Sequence, residues 1–458
     1  MNNGKKRRNK SKTKLLYFYK EPLIQKINHR DKKQIGVSLR LKNKKYKCSE
    51  SKEYSTGDSC SLWLINKRKN IRVQEFNKIG ECAMNKSRRE FLQKSFGSAV
   101  FLTMGGTALV KELWEQEKLL PIKGAGVEEG IVQLIFNENP LGPSPRAMKA
   151  VAQGLYASNR YFGPELVEKS IAEYHNIDES LVTKGEGATE FLYNVPMAFL
   201  SKNDNMIMAD PTFSTAGIIA ETIGAEVKRI PLTSTYEHNL DAFVSAINGK
   251  TKLILICNPN NPTGTITPAQ KIKMFLDTIP ERIVVMIDEA YFHFAEHPEY
   301  ESFIRYPLDG RNVVVVRTFS KIYGLAGLRI GYAIANEMIT ERIRALNLRG
   351  LTNLVAHYAV PAALQDSEFV EKTKKITNEG KNYFYKEFSA LGYKVPKSEA
   401  NHIFVDLGIQ TDPIVDALSL KKIYIRAGSV WGKPTHIRIS IGTMEENKAL
   451  MKELKALL

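Results

Sequence analysis

From residue 131 onward, short apolar runs alternate with amphipathic stretches, and this alternation limits the fold more than any other feature of the sequence. The runs at 206–209, 253–257, 283–287, 313–316 and 330–335 are strand-like, and helical patterns at 215–223 and 268–277 fall between several of them. Such βαβ alternation predicts an α/β fold with a mainly parallel sheet covered on both faces. From about residue 341 helical patterns dominate. Short strands then return at 403–407, 423–425 and 437–441, which reads as a smaller C-terminal α/β domain. A chain of 458 residues exceeds one comfortable core, so several domains are expected. The expected limits are an N-terminal arm over 121–165, a large domain over 166–340 and a small one over 341–458. No internal repeat is visible.

The net charge of +17 first suggests nucleic acid or another polyanion. Its distribution removes that reading. Residues 1–83 hold 23 Lys and Arg against 7 Asp and Glu, leaving 43 against 42 from Met84 on. The body is nearly neutral, so no nucleic-acid partner is expected. The 1–83 leader has no hydrophobic period and reads as disordered or as untranslated sequence upstream of the true start. Met84 opens a signal-like segment over 84–120. Ser87-Arg88-Arg89-Glu90-Phe91-Leu92-Gln93-Lys94 resembles a twin-arginine export signal, and the uncharged stretch 96–110 follows it. That stretch is short of the roughly 20 residues a membrane helix needs, so export without a stable membrane anchor is the expectation; without the signal the chain would be cytoplasmic. Three of the four cysteines lie in the leader, with no metal-ligand spacing, and Cys257 reads as a buried strand residue.

The chemistry is concentrated in Thr318-Phe319-Ser320-Lys321-Ile322-Tyr323-Gly324-Leu325-Ala326-Gly327-Leu328-Arg329. A lone lysine at a strand end, partly desolvated, has the lowered pKa that a nucleophilic amine needs. Flanking hydroxyls and an arginine suit a phosphate dianion. Asp288 closes an apolar run, where an unpaired acid costs stability. Gly187-Ala188-Thr189 precedes a helical run over 190–200, and helix-start amides bind phosphate. Arg438 stands in the alternating Ile437-Arg438-Ile439-Ser440-Ile441, where a guanidinium pointing away from the isoleucines could grip a carboxylate.

Six motifs in order carry a resemblance over roughly residues 131–445. They are the stretch 137–145 (Asn-Glu-Asn-Pro-Leu-Gly-Pro-Ser-Pro), Gly185-Glu186-Gly187-Ala188-Thr189-Glu190, Asn258-Pro259-Asn260-Asn261-Pro262-Thr263-Gly264, Asp288-Glu289-Ala290-Tyr291, the Lys321 loop and 437–442. Together they resemble the class I/II aminotransferases of the fold-type I pyridoxal 5'-phosphate (PLP) superfamily, and within them the histidinol-phosphate aminotransferase branch. The resemblance implies PLP bound as a Schiff base to Lys321, with Asp288 on the pyridine nitrogen and Asn261 and Tyr291 on the phenolate oxygen. It implies Gly187, Ala188, Thr189, Thr318, Ser320 and Arg329 around the phosphate, and Arg438 on the substrate carboxylate. Asn139 and Arg426 are placed with Arg438 at the substrate, although the insert around 428–432 leaves the register of Arg426 open. Phe213 fits either a ring stacked on the cofactor, in place of the tyrosine usual in this branch, or plain core. Arg329 fits either a phosphate ligand or a structural ion pair.

Tyr161 matches a tyrosine that reaches the neighbouring subunit's phosphate, which implies a homodimer. The implied partners are a small amino donor, histidinol-phosphate-like or an aromatic or general amino acid, and a 2-oxo acid acceptor. Related enzymes of this build decarboxylate or eliminate instead, and those need no acceptor. Export would sit poorly with a biosynthetic role and favours a general or aromatic amino donor.

Overall fold

A computed structural model describes residues 130–161, 166–347 and 352–458, all within one compact unit, Val100–Leu458. The leader and the 84–120 segment lie outside the described residues. In chain order the N-terminal half comprises β1 (Val132–Gln133), α1 (Pro145–Gly154), α2 (Val167–His175), β2 (Val182–Gly185), α3 (Ala188–Phe199), β3 (Asn205–Asp210), α4 (Thr215–Ile223) and β4 (Glu226–Pro231). Then follow α5 (Leu240–Ala246), β5 (Thr251–Cys257), α6 (Ala269–Thr278), β6 (Val284–Asp288), β7 (Val313–Thr318) and β8 (Gly331–Ala335). The C-terminal part holds α7 (Glu337–Leu346), α8 (Leu354–Leu364), α9 (Ser367–Ala390), β9 (His402–Asp406), α10 (Asp412–Leu420), β10 (Ile423–Tyr424), β11 (Arg426–Ala427), β12 (His436–Ser440) and α11 (Met444–Lys455).

Seven strands form the main sheet in the order β2-β8-β7-β6-β5-β3-β4. All neighbours are parallel except around β8, which runs antiparallel to both β7 and β2. The expected 330–335 run is therefore a strand, but a reversed one. Alternation at two residues assigns each strand's side chains to opposite faces. Met206, Leu253, Leu255, Met286 and Val314 pack under α3, α4 and α7, whereas Ile207, Ile254, Ile256, Ile287 and Val315 pack under α5 and α6. Double-faced burial is why these strands read as continuous apolar runs. The ends of β5, β6 and β7 release Asn258, Glu289 and Phe319 on the carboxyl edge, where parallel α/β sheets bind ligands.

A three-stranded sheet, β11-β12-β9, packs with α9, α10 and α11 around Phe384, Ile403, Ile437 and Leu450. Thr443 and Glu446 close a capping box at the start of α11. Two features differ from the sequence limits. Position 340 falls inside α7, whose Ile339 and Ile343 belong to the main-sheet core, and α8 packs with α1 and α2. The arm is also divided: β1 pairs in parallel with β10, and Leu134 enters the C-terminal core. Hydrophobic continuity, rather than helix content, sets where each piece belongs. No described helix is long and apolar enough to cross a membrane.

The Lys321 loop is braced from behind. Gly324 has φ +66°, and a Cβ there would lie 2.0 Å from the Gly142 carbonyl oxygen. Gly324→Ala must therefore move backbone as well as adopt a strained φ. We expect a stability loss of about 3 kcal/mol, read as a lower denaturation midpoint at unchanged slope. A loss below about 1 kcal/mol would mean that the loop moves freely off Gly142.

Candidate active site

The loops at the carboxyl edge of β5, β6 and β7 enclose a cavity of about 420 Å³ with the N-terminus of α3, the segment after β1 and the β11–β12 pair. Lys321 enters it from the turn after β7, and its Nζ donates to the Phe136 carbonyl at 2.8 Å. Burial, reinforced by Arg438, brings its amine down to about 8. An amine so placed spends an appreciable fraction of time neutral near physiological pH.

Asp288 ends β6, where its Oδ1 accepts the Ala290 N–H at 3.0 Å. Burial pushes its carboxyl up to about 6, against the opposing pull of that N–H. A buried acid this unfavourably placed calls for a cationic partner. Tyr291, three residues on, also lines the cavity, and burial keeps its hydroxyl protonated well beyond the ordinary range. Asn261 sits between two groups: its Oδ1 accepts from Arg438 Nη1 at 2.8 Å and its Nδ2 donates to Tyr291 Oη at 3.4 Å.

Arg438 is buried in β12, a strand buried along its whole length rather than on alternate positions. Its Nη2 donates to the Ile135 carbonyl, its guanidinium lies 5.1 Å from the Trp431 ring centre, and burial lowers its pKa to about 10. Its Nε has no hydrogen-bond partner among the described residues. The register that the sequence left open is now fixed: Arg426 stands directly opposite Arg438 in the β11–β12 pair. Its guanidinium lies 5.5 Å from the Phe136 ring centre, and both arginines line the cavity.

At the other end, α3 begins after Gly187 with no side-chain cap, so the first-turn amides around Ala188 and Thr189 are left for a ligand. Gly187 has φ +75°, and a Cβ on it would meet Arg329 Nη2 at 2.5 Å. Gly187 thus shapes the corner from behind. Arg329, held at φ 49°, donates to the carbonyls of Ala326 and Glu186 and makes no ion pair with a described residue. Thr318 and Ser320 line the same corner, linked through their hydroxyls at 2.9 Å. Phe213 is half-buried: it lines the cavity and also packs against the main-sheet core.

Two assigned residues stand elsewhere. Asn139 does not line the cavity. Its amide nitrogen donates to Ile322 O at 2.8 Å and Thr373 Oγ1 at 3.2 Å, and its oxygen accepts from Leu141 N at 3.0 Å. It fastens the Lys321 loop instead of lining the cavity. Asn137 and Glu138 of the same motif line the cavity instead, because a left-handed turn at Asn137 (φ 55°) redirects the chain. Tyr161 is 86% exposed and is not part of this cavity's wall. Phe136 and Trp431 also line the site unassigned; the Trp in the 428–432 insert was the one visible signal.

An amine of lowered pKa, a buried acid, an uncapped helix start beside hydroxyls and an arginine, and a partly unpartnered arginine opposite all converge on one cavity. These residues fit PLP: a phosphate corner at α3, a cation-seeking acid at Asp288 and a reactive amine within the same walls. The aminotransferase class I and II family model matches residues 129–454. The chain belongs to the class I and II aminotransferases. It is 36% identical over 339 residues to a histidinol-phosphate aminotransferase of Moorella thermoacetica, spanning 73% of this chain and 86% of that one. A second such enzyme, from Caldicellulosiruptor saccharolyticus, is 36% identical over 332 residues, or 72% and 92% of the two chains. The fold matches histidinol-phosphate aminotransferase from Sinorhizobium meliloti in complex with PLP, with TM-score 0.67 and 24% identity over 78% of this chain and 96% of that one. It also matches the Clostridium acetobutylicum enzyme, with TM-score 0.65 and 23% identity over 71% and 98%. This class I and II member is a PLP-dependent aminotransferase of fold type I.

Proposed function

We propose that this aminotransferase takes its amino group from a donor with a flat ring and an anionic group, of the histidinol-phosphate or aromatic amino-acid kind, and delivers it to a 2-oxo acid. The observation that carries this reading is the Arg426–Arg438 pair, two cations lining one cavity, each with its guanidinium over an aromatic ring, at 5.5 and 5.1 Å from the ring centres. Directly opposed like charges are unfavourable in a sheet, and an anion between them offsets that cost. The rings of Phe136 and Trp431 suit a planar side chain.

In this reading Lys321 holds the cofactor covalently and Asp288 pairs with its ring nitrogen. The α3 start, Thr318, Ser320 and Arg329 hold its phosphate, and Asn261 and Tyr291 contact its phenolic oxygen. Bound PLP supplies an electron-withdrawing ring that stabilises charge developing at the donor's α-carbon. Lys321 Nζ would take the α-proton of the bound donor and later give it up again. Arg438 orients the donor through its carboxylate or phosphate.

The test is a half-reaction screen: single donors are mixed with cofactor-loaded enzyme without acceptor, and the bound cofactor's absorbance is followed. Histidinol phosphate and aromatic amino acids should convert it, whereas lysine and arginine should not. Equal conversion by cationic donors would overturn the proposed donor class. Arg438→Ala should raise KM for carboxylate donors about 100-fold, and an unchanged KM would remove Arg438 from that role.

Tyr161, exposed and outside its own cavity, supports a homodimer in which it completes the other subunit's site. Light scattering tests the dimer, and Tyr161→Phe should weaken cofactor retention. The 87–94 motif supports twin-arginine export, tested by cell fractionation and by mass spectrometry of the mature N-terminus.

A further inference from the structure

Asn137 is buried at φ 55°, a conformation that Asn tolerates and most residues avoid. Its amide is oriented by Ser440, whose Oγ accepts from Asn137 N at 2.8 Å and donates to Asn137 Oδ1 at 2.9 Å. That orientation sends Nδ2 the other way. One of its hydrogens goes to Tyr291 Oη at 2.9 Å and the other to His402 Nδ1 at 3.0 Å. An amide nitrogen has two hydrogens, so both are committed.

Tyr291 Oη also receives the Asn261 amide, whose orientation Arg438 sets by donating to its oxygen. Two incoming N–H groups occupy both lone pairs of a phenol oxygen, and its own hydrogen must then point elsewhere. The open direction is the cavity that Tyr291 lines with Lys321 and Asp288. His402 stands edge-on to Tyr291, with ring centres 5.0 Å apart. Accepting at Nδ1 requires its proton on Nε2. Burial, with Arg438, Lys321 and Lys381 around it, holds the ring neutral, and its Nε2 has no hydrogen-bond partner among the described residues. Four separate segments meet at one amide: the stretch after β1, the turn after β6, and strands β9 and β12 of the C-terminal sheet.

We propose that Asn137 and His402 are positioning residues that aim the Tyr291 hydroxyl hydrogen into the reacting cavity, with the Asn137 amide itself held by His402 and Ser440 of the C-terminal sheet. The proposal rests on the reading of Tyr291 as a contact of the cofactor's phenolic oxygen. Both act through the Tyr291 hydroxyl.

The test uses cofactor-loaded enzyme and the pH midpoint of its absorbance change. Tyr291→Phe, which removes the hydroxyl, defines the reference shift. Asn137→Asp tolerates the same φ but presents an acceptor where the donor stood, so Tyr291 turns its hydrogen back. We expect the midpoint to move in the same direction as in Tyr291→Phe, by about one pH unit, with no further movement when the two changes are combined. His402→Phe keeps a ring but removes the acceptor that holds the amide, and should give a smaller shift of the same sign. It carries the test if Asn137→Asp does not fold. An effect of the new charge alone, or of general loosening, would persist in the Tyr291→Phe background, and that outcome overturns the proposal. A shift in Tyr291→Phe but none in either positioning variant also overturns it, leaving the Tyr291 reading intact. No shift in Tyr291→Phe itself sinks both.

Discussion

Lys321→Ala should lower multiple-turnover amino transfer by about 10⁴-fold and abolish the long-wavelength absorbance of covalently held cofactor. Lys321 is the one lysine among the described residues that line the cavity, so no described neighbouring amine stands ready to substitute. Its amine is brought down to about 8, which makes it both a nucleophile and a base near neutral pH. Lys321→Arg should fail equally, since a guanidinium keeps its charge and cannot accept the proton. A small amine such as methylamine, added to Lys321→Ala, should recover part of the proton transfer but not the covalent attachment. Turnover retained within about tenfold of the parent would refute the role.

Asp288→Asn should reduce turnover by about 10³-fold while making cofactor-stripped protein more stable at alkaline pH. The two effects have one origin. In the unfolded chain this carboxyl ionises at its ordinary value of 3.8, and in the fold near 6. The fold therefore favours the protonated form. Its relative stability falls as pH rises above 3.8 and carries the full penalty above about 6. Two units correspond to about 3 kcal/mol. Asparagine has no charge to bury, so the stripped variant should gain up to that amount at pH 8 and nothing at pH 3. Cofactor loading should reverse the order, because the ring's cation relieves the parent's buried charge but not the variant's. Thermal melts at the two pH values, with and without PLP, check this; a destabilised stripped variant at pH 8 would contradict it.

The parts legible in the sequence were those where local chemistry and burial coincide. Strands β5, β6 and β7 are buried on both faces and so advertise themselves as apolar runs. Strand β4 was invisible because it is an edge strand whose charges face water, and β2 because Lys184 interrupts it, paired to Glu168 at 2.6 Å. Lys321, Asp288 and Arg438 announced themselves because an ionisable residue amid apolar neighbours needs a reason. Asn139 and Asn137 could not be ranked that way. They share a motif, and the difference between fastening a loop and facing the cavity lies in one left-handed turn and in partners more than 150 residues away. Arg426 likewise needed a strand register that no spacing reveals.

The pairing of β1 with β10, and the bond from Asn137 N to Ser440 across 303 residues, has a consequence in time. At ribosomal speeds of about 5–20 residues per second, the segment carrying Asn137 emerges roughly 15–60 seconds before its partner strand exists. Through that interval the C-terminal core that Leu134 enters is incomplete, and the Asn137 amide lacks the Ser440 hydroxyl that orients it. Nascent chains stalled before residue 436 should therefore hold a formed main sheet and remain chemically silent, with catalytic competence arriving in a single late step as β12 closes over the segment that was made first.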